Sequence, residues 1–229
     1  MRAVLWDMDG TLVDSEKHWD VAMQALYERF GRTLTPEVRA TTVGGSAEDV
    51  MRIVYADLGL APDPDQMAET AEWLHTYTAH LFARHGLPWC AGARELLDAL
   101  AVESVPMALV TNTRRFLADF ALDSIGRQYF SATVCGDEVA NGKPAPDPYV
   151  RAAALLGESP AACLAIEDSV NGTASAESAG CAVLVVPNDV PVPKGPRRRH
   201  ISSLAGLDVA DLRAVYDDLS MCSRCTESR

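Results

Sequence analysis

Two carboxylates stand in an apolar run at the very start of the chain, and that placement limits what the rest can fold into. Arg2 to Trp6 is short and apolar, the pattern of a buried strand. It leads directly into Asp7-Met8-Asp9-Gly10-Thr11. An acidic side chain is costly to bury unless something positive meets it. Side chains two apart on a strand share a face, so Asp7 and Asp9 are expected to converge on one site while Met8 turns into the core. Gly10 permits a sharp change of direction and a close backbone approach. The opening residues therefore read as a strand that ends in a carboxylate-lined loop.

From Ser15 the spacing turns helical. Trp19, Ala22, Met23, Leu26, Tyr27 and Phe30 fall on one face, and Gly31 closes that helix. Ser46 starts a second helix through Val50, Ile53, Val54 and Leu58, and Asp63-Pro64 opens a third that reaches about Arg84. No strand signal interrupts residues 15–86. After Pro88, strands at 105–110, 130–135, 162–166 and 181–186 alternate with helices at 92–100, 114–125, 149–156 and 170–179. A last helix is expected over 208–219, followed by a flexible tail at 221–229. The expected architecture is an α/β fold: a Rossmann-like parallel sheet core with helices on both faces, built from residues 1–14 and 87–220. An inserted all-helical cap domain would occupy 15–86. Ligands of such sheets bind beyond the carboxyl ends of the strands. Asp7/Asp9, Thr111/Asn112 and Glu167/Asp168 all fall at such ends. Lys143 sits in a proline-rich loop that opens a helix on the same edge.

The Asp7-Met8-Asp9-Gly10-Thr11-Leu12-Val13-Asp14-Ser15 stretch resembles the first motif of the haloacid dehalogenase-like phosphatases. Thr111-Asn112, Lys143 and Glu167-Asp168 follow in the order that family requires, so the resemblance extends to about Pro187. It implies Asp7 as nucleophile, forming an aspartyl-phosphate, and Asp9 as the acid that protonates the leaving alkoxide and later activates water. It implies Mg2+ held by Asp7, the backbone carbonyl of Asp9 and Asp168, with Glu167 acting through a bound water. Lys143 would pair with phosphate and Asp7. Thr111, with the backbone N–H of Asn112, would hydrogen-bond the phosphoryl oxygens, and Gly10 and Thr11 would line the phosphate site. In the cap, Ser15, Trp19 and Gly45 are candidate substrate contacts, Gly44-Gly45-Ser46 resembling a loop that reaches into the site in relatives. Relatives that cleave carbon–halogen bonds resemble this pattern without the second aspartate, so Asp9 favours phosphate esters.

Charge and composition narrow the partners. The net charge of −12 argues against nucleic acid, and it requires positive charge to be gathered locally around a phosphate. No apolar run is long enough to span a membrane, and no apolar leader precedes the first strand, so a cytoplasmic protein is expected. The expected partner is a small phosphorylated molecule, the chain acting as a monomer or weak dimer. Cys90, Cys135, Cys163 and Cys181 read as small core residues.

Taken singly, these residues have plainer explanations. Lys143 alone would be an exposed loop lysine, Thr111-Asn112 a helix cap, and Glu167-Asp168-Ser169 a helix start. Trp19 at helical spacing reads as core, and His75, His80 and His85 as solvated surface. Arg197-Arg198-Arg199-His200 reads as a flexible solvated loop, and Cys222/Cys225 lacks the second pair a zinc site needs. The combined reading is a magnesium-dependent phosphatase of a small metabolite, a sugar phosphate or similar ester. A β-phosphoglucomutase-like phosphosugar mutase is the alternative, weakened because Ala47 stands where those mutases place an arginine. A non-catalytic phosphate-binding protein is the third reading.

Overall fold

A computed structural model describes residues 1–42, 45, 47–187 and 190–226, with side chains from 222 onward left aside. The chain forms two compact units, one of residues 1–14 and 88 onward, the other of Ser15–Leu87.

The larger unit is built on a six-stranded parallel sheet: β1 (Ala3–Trp6), β2 (Met107–Val110), β3 (Ala132–Val134), β4 (Cys163–Glu167), β5 (Ala182–Val185) and β6 (Arg198–His200), in the order β3-β2-β1-β4-β5-β6. β1 thus lies in the interior of the sheet, and the strand order reverses between it and β4. That reversal is the point where α/β sheets open a crevice for ligands. β1, β2, β4 and β5 are buried along their whole length, as a sheet covered on both faces demands. Alternate residues of β1 and β4 (Ala3, Leu5, Cys163, Ala165) share one core face with Tyr149, Ala152 and Ala153 of α7 (Asp147–Leu155) and Ala176 of α8 (Val170–Ala179). Numbered in chain order, the unit's remaining helices are α5 (Ala93–Val102), α6 (Arg115–Ile125) and α9 (Val209–Thr226).

Two parts of this unit differ from the sequence reading. The Arg-rich run is the edge strand β6, not a loop. Its basic side chains are paired: Arg198 meets Glu177 at 2.5 Å and Arg199 meets Asp218 at 2.9 Å. Charge on an edge strand discourages pairing with a further chain, so its hydrophilic composition is compatible with a strand. The last helix also continues past Leu219 to Thr226, because no glycine or proline interrupts Ser220–Thr226. Residues 227–229 lie outside the described residues.

The smaller unit is all helix: α1 (Glu16–Arg29), α2 (Pro36–Thr42), α3 (Ala47–Leu58) and α4 (Pro64–His85). Asp63 caps α4, its side chain accepting from the backbone N–H groups of Asp65 and Gln66 at 3.0 Å each. Met23, Leu26, Tyr27, Val54, Tyr55 and Leu74 form its core, with Trp19 packed against them. α2 is too short to announce itself by periodicity. Its Arg39 is tied to Asp20 at 2.6 Å and to Glu16.

Candidate active site

The register of β1 and β4 sets the site. Trp6 pairs with Ile166, and the Asp7 N–H donates to the Ile166 carbonyl at 3.0 Å. Asp7 is therefore level with Glu167 on the neighbouring strand. Asp7 continues the face of Ala3 and Leu5, and Glu167 that of Cys163 and Ala165. Both carboxylates point to the side covered by α7. Lys143, in the loop before α7, meets them there: its Nζ lies 2.5 Å from Asp7 Oδ1 and 2.6 Å from Glu167 Oε1. It is 8% exposed, which rules out the reading as a solvated loop lysine.

Asp9 does not follow the strand alternation expected of it. β1 ends at Trp6, and residues 8–13 turn back on themselves: the N–H groups of Leu12 and Val13 both donate to the Met8 carbonyl, and Gly10 adopts φ 85°. The Asp9 carboxylate consequently faces the β2 side. Its Oδ2 accepts from Thr113 Oγ1 at 2.8 Å and from Thr111 Oγ1 at 3.3 Å. The two aspartates are held by opposite neighbours, one on the lysine side and one on the threonine side.

Asn112 locks these pieces together. Its side-chain amide donates to the Lys143 carbonyl at 3.0 Å and accepts from the Lys143 N–H at 2.7 Å. The end of β2 thereby fixes the loop that carries the lysine. Glu167 is fully buried and saturated by donors. Besides Lys143, Tyr149 OH donates to Oε1 at 2.5 Å and Ser169 Oγ to Oε2 at 3.1 Å. Ser169 also caps α8 by accepting from the Gly172 N–H at 3.0 Å. Gly172 is required for room: a Cβ there would stand 1.9–2.1 Å from the Glu167 carboxylate.

Carboxylate oxygens of Asp7, Glu167 and Asp168 lie within 4.8 Å of one another, at the point of strand reversal. Burial, then repulsion from Glu167, pushes the Asp7 carboxyl up to about 7 despite Lys143. Burial, then Asp7 and Glu167, pushes Asp168 up to about 9. Burial would lower the Lys143 ammonium, but Asp7 and Glu167 overcome it and hold it protonated. Once ionised, the three carboxylates leave a deficit of two positive charges against the one ammonium, with Asp168 only partly buried. Hard oxygen donors with that deficit fit a divalent cation such as Mg2+. Asp9 contributes no side-chain oxygen to this cluster.

Other candidates have different surroundings. Thr111 is buried beside Asp9. Thr11 is buried in the turn after β1. Ser15, Trp19 and Gly45 belong to the helical unit. There Ser15 is buried, with its carbonyl accepting from the His18 and Trp19 N–H groups, Trp19 lies edge-on to His75 at 6.0 Å, and Gly45 is exposed. Gly44 and Ser46 fall outside the described residues, as do the side chains of Cys222 and Cys225. A recess of about 530 Å³ in the helical unit is bordered by Asp20, Leu34, Arg39 and Tyr77. Thr113 and Tyr149 are site residues that motif reading missed. A tyrosine in the first turns of a core-facing helix needs a hydroxyl partner, and that is the signal by which Tyr149 could have been found.

Known proteins resemble this chain in sequence and in fold. Residues 1–180 match a family model described as haloacid dehalogenase-like hydrolase. A probable pseudouridine-5'-phosphatase of Drosophila melanogaster is 33% identical over 191 residues, covering 80% of each chain. A beta-phosphoglucomutase of Mycobacterium tuberculosis is 29% identical over 239 residues, covering 93% of this chain and 91% of that protein. The crystal structure of CbbY from Rhodobacter sphaeroides in complex with phosphate superposes with a TM-score of 0.81 at 26% identity, over 93% of this chain and 99% of that one.

Proposed function

The chain belongs to the haloacid dehalogenase-like hydrolases, and from that premise we propose that it is a magnesium-dependent phosphatase of a small phosphorylated metabolite. The observation that carries the proposal is Lys143 Nζ set between Asp7 and Glu167, beside a carboxylate cluster at the point of strand reversal.

In this reading Asp7 attacks phosphorus. A bond forms from its carboxylate oxygen to phosphorus as the ester P–O bond breaks. Asp9 gives a proton to the departing alkoxide, then takes one from the water that cleaves the acyl phosphate. Thr113 fixes the direction of its carboxylate for both steps, and Thr111, at 3.3 Å the longer contact, turns its single hydroxyl proton to the phosphoryl group when substrate is bound. An ammonium carries three donors. Two of those on Lys143 are directed at Asp7 and Glu167, and the third serves the phosphoryl oxygens, with Thr111 and the Asn112 N–H as further donors. Asp7 and Asp168, with the Asp9 carbonyl, would hold Mg2+, and Glu167 flanks it. When bound, the ion neutralises carboxylate and phosphate charge so that two anions can approach. We assign selection of the leaving group to the helical unit. The reading further takes the protein as cytoplasmic and as a monomer or weak dimer; among the described residues no helix is long and apolar enough to cross a membrane.

The test is Asp7→Asn assayed by inorganic phosphate release from a panel of phosphorylated sugars and related esters with Mg2+. Loss of at least about a thousandfold is expected for a nucleophile. Unchanged turnover would remove Asp7 from the chemistry.

A phosphosugar mutase is the second reading, favoured by the mutase relative that spans nearly the whole chain. Incubation with β-glucose 1-phosphate and a trace of the bisphosphate separates the two. An isomerised sugar phosphate supports the mutase, and free phosphate the phosphatase.

A further inference from the structure

Tyr149 is fully buried on the first turn of α7, and its hydroxyl meets Glu167 Oε1 at 2.5 Å. Lys143 Nζ meets the same oxygen at 2.6 Å. The other oxygen, Oε2, accepts from Ser169 Oγ. Glu167 is hemmed in further by Gly172, whose missing side chain gives the carboxylate its space. The Tyr149 ring also lies 5.2 Å from the lysine ammonium.

We infer that Tyr149 is a positioning residue, whose hydroxyl, sharing Glu167 Oε1 with Lys143, keeps the ammonium standing between Glu167 and Asp7. The argument is one of competition. Each carboxylate attracts the same ammonium, and Asp7 holds it only while the pull of Glu167 is partly satisfied elsewhere. A carboxylate oxygen accepts two hydrogen bonds, and Tyr149 supplies one of the two at Oε1. Without the hydroxyl, Oε1 turns wholly to Lys143 and draws it off Asp7. The ring alone restrains the lysine by cation–π attraction but does not engage Glu167.

This inference rests on the roles proposed above for Asp7 and Lys143, and the test separates the two. Tyr149→Phe and Tyr149→Leu are compared with the wild type by two readouts. One is kcat and KM for p-nitrophenyl phosphate with Mg2+. The other is the side-chain ammonium resonance of Lys143 in protein labelled with 15N-lysine, recorded without metal or substrate. Lys17, Lys143 and Lys194 are the lysines of the chain, and the signal lost in Lys143→Met identifies the one that matters. In Tyr149→Phe, kcat is expected to fall roughly tenfold to a hundredfold with KM changed less than about twofold, as for a small misplacement of a catalytic group. The Lys143 resonance shifts, and the melting temperature falls by the several degrees that one buried hydrogen bond to a charged group is worth. Tyr149→Leu shows the same loss together with a lower melting temperature. A residue that merely packs would do the reverse, with Phe silent and Leu damaging. An unshifted Lys143 resonance in Tyr149→Phe, or wild-type kcat in that variant, overturns the inference and leaves the phosphatase reading in place. A wild type inactive on phosphate esters withdraws that reading, while the resonance still decides the part played by Tyr149.

Discussion

Replacing Gly172 by alanine sets two rules against each other. Gly172 is inside α8, where alanine is the better helix former by about 1 kcal/mol. On propensity alone the variant gains stability. The structure demands the opposite sign. The added methyl would stand 1.9–2.1 Å from the Glu167 carboxylate, so that group must leave its place. A carboxylate on a flexible stem swings aside at little cost when it faces water. Glu167 is fully buried and bound to Lys143, Tyr149 and Ser169, so moving it breaks a buried ion pair and two further hydrogen bonds. Breaking such a pair costs about 3–5 kcal/mol. Less the helix gain, the net loss is roughly 2–4 kcal/mol, or a fall of roughly 5–15 °C in melting temperature for a chain of this size. Because Lys143 loses one of its two anchors, phosphate release per folded molecule falls as well. Differential scanning fluorimetry and a phosphate-release assay read both effects. A Gly172→Ala protein that melts at or above the wild type and turns over normally would refute the account of Glu167 as a pinned group.

Thr113→Val removes the 2.8 Å donor to Asp9 and leaves the 3.3 Å contact from Thr111. We expect kcat to drop about tenfold with little change in KM, part of what general acid catalysis contributes; an unaltered kcat would take Thr113 out of the site. The metal-free protein should also depend on pH in a particular direction. Asp7 at about 7 and Asp168 at about 9 keep their protons in the folded state well above the 3.8 of an ordinary carboxyl, where the unfolded chain has released them. Their contribution to stability is therefore greatest below the unfolded value and falls as pH rises through 7 and then 9. A divalent cation takes the place of those protons, so the melting-temperature gain on adding Mg2+ should be larger at about pH 8.5 than at about pH 6. A gain that is equal at both would argue against Asp7 and Asp168 as the seat of the ion.

The sequence announced its apolar strands and the polar residues at their ends because both signals are local. Ala3–Trp6, Met107–Val110 and Cys163–Glu167 are continuous apolar runs interrupted where a carboxylate or hydroxyl begins. β6 was hidden because its strand character comes from pairing with β5 and from ion pairs to Glu177 and Asp218, not from its own composition. The orientation of Asp9 was hidden for a related reason: alternation applies to a strand, and β1 stops before Asp9 is reached. By resemblance Glu167 is expected to serve the metal through a bound water; its phase with Cys163 and Ala165 also sets it on the α7 side, where Lys143 meets it. Of the donors that hold it, Ser169 is a local one two residues on, but Tyr149 comes from α7, and no spacing rule within one segment links that residue to Glu167.

The position of β1 has a consequence for how the chain is made. Its partners β2 and β4 are encoded about 100 and 160 residues later. At roughly 5–20 residues per second, a ribosome that has finished Ala3–Trp6 needs roughly ten to thirty seconds more before Cys163–Glu167 is synthesised. Through that interval the first strand, wholly apolar and destined for the middle of the sheet, lacks at least one of its two neighbours. Among the strands of this sheet, β1 waits longest for its neighbours, and a nascent chain shows that apolar run for as long as the wait lasts.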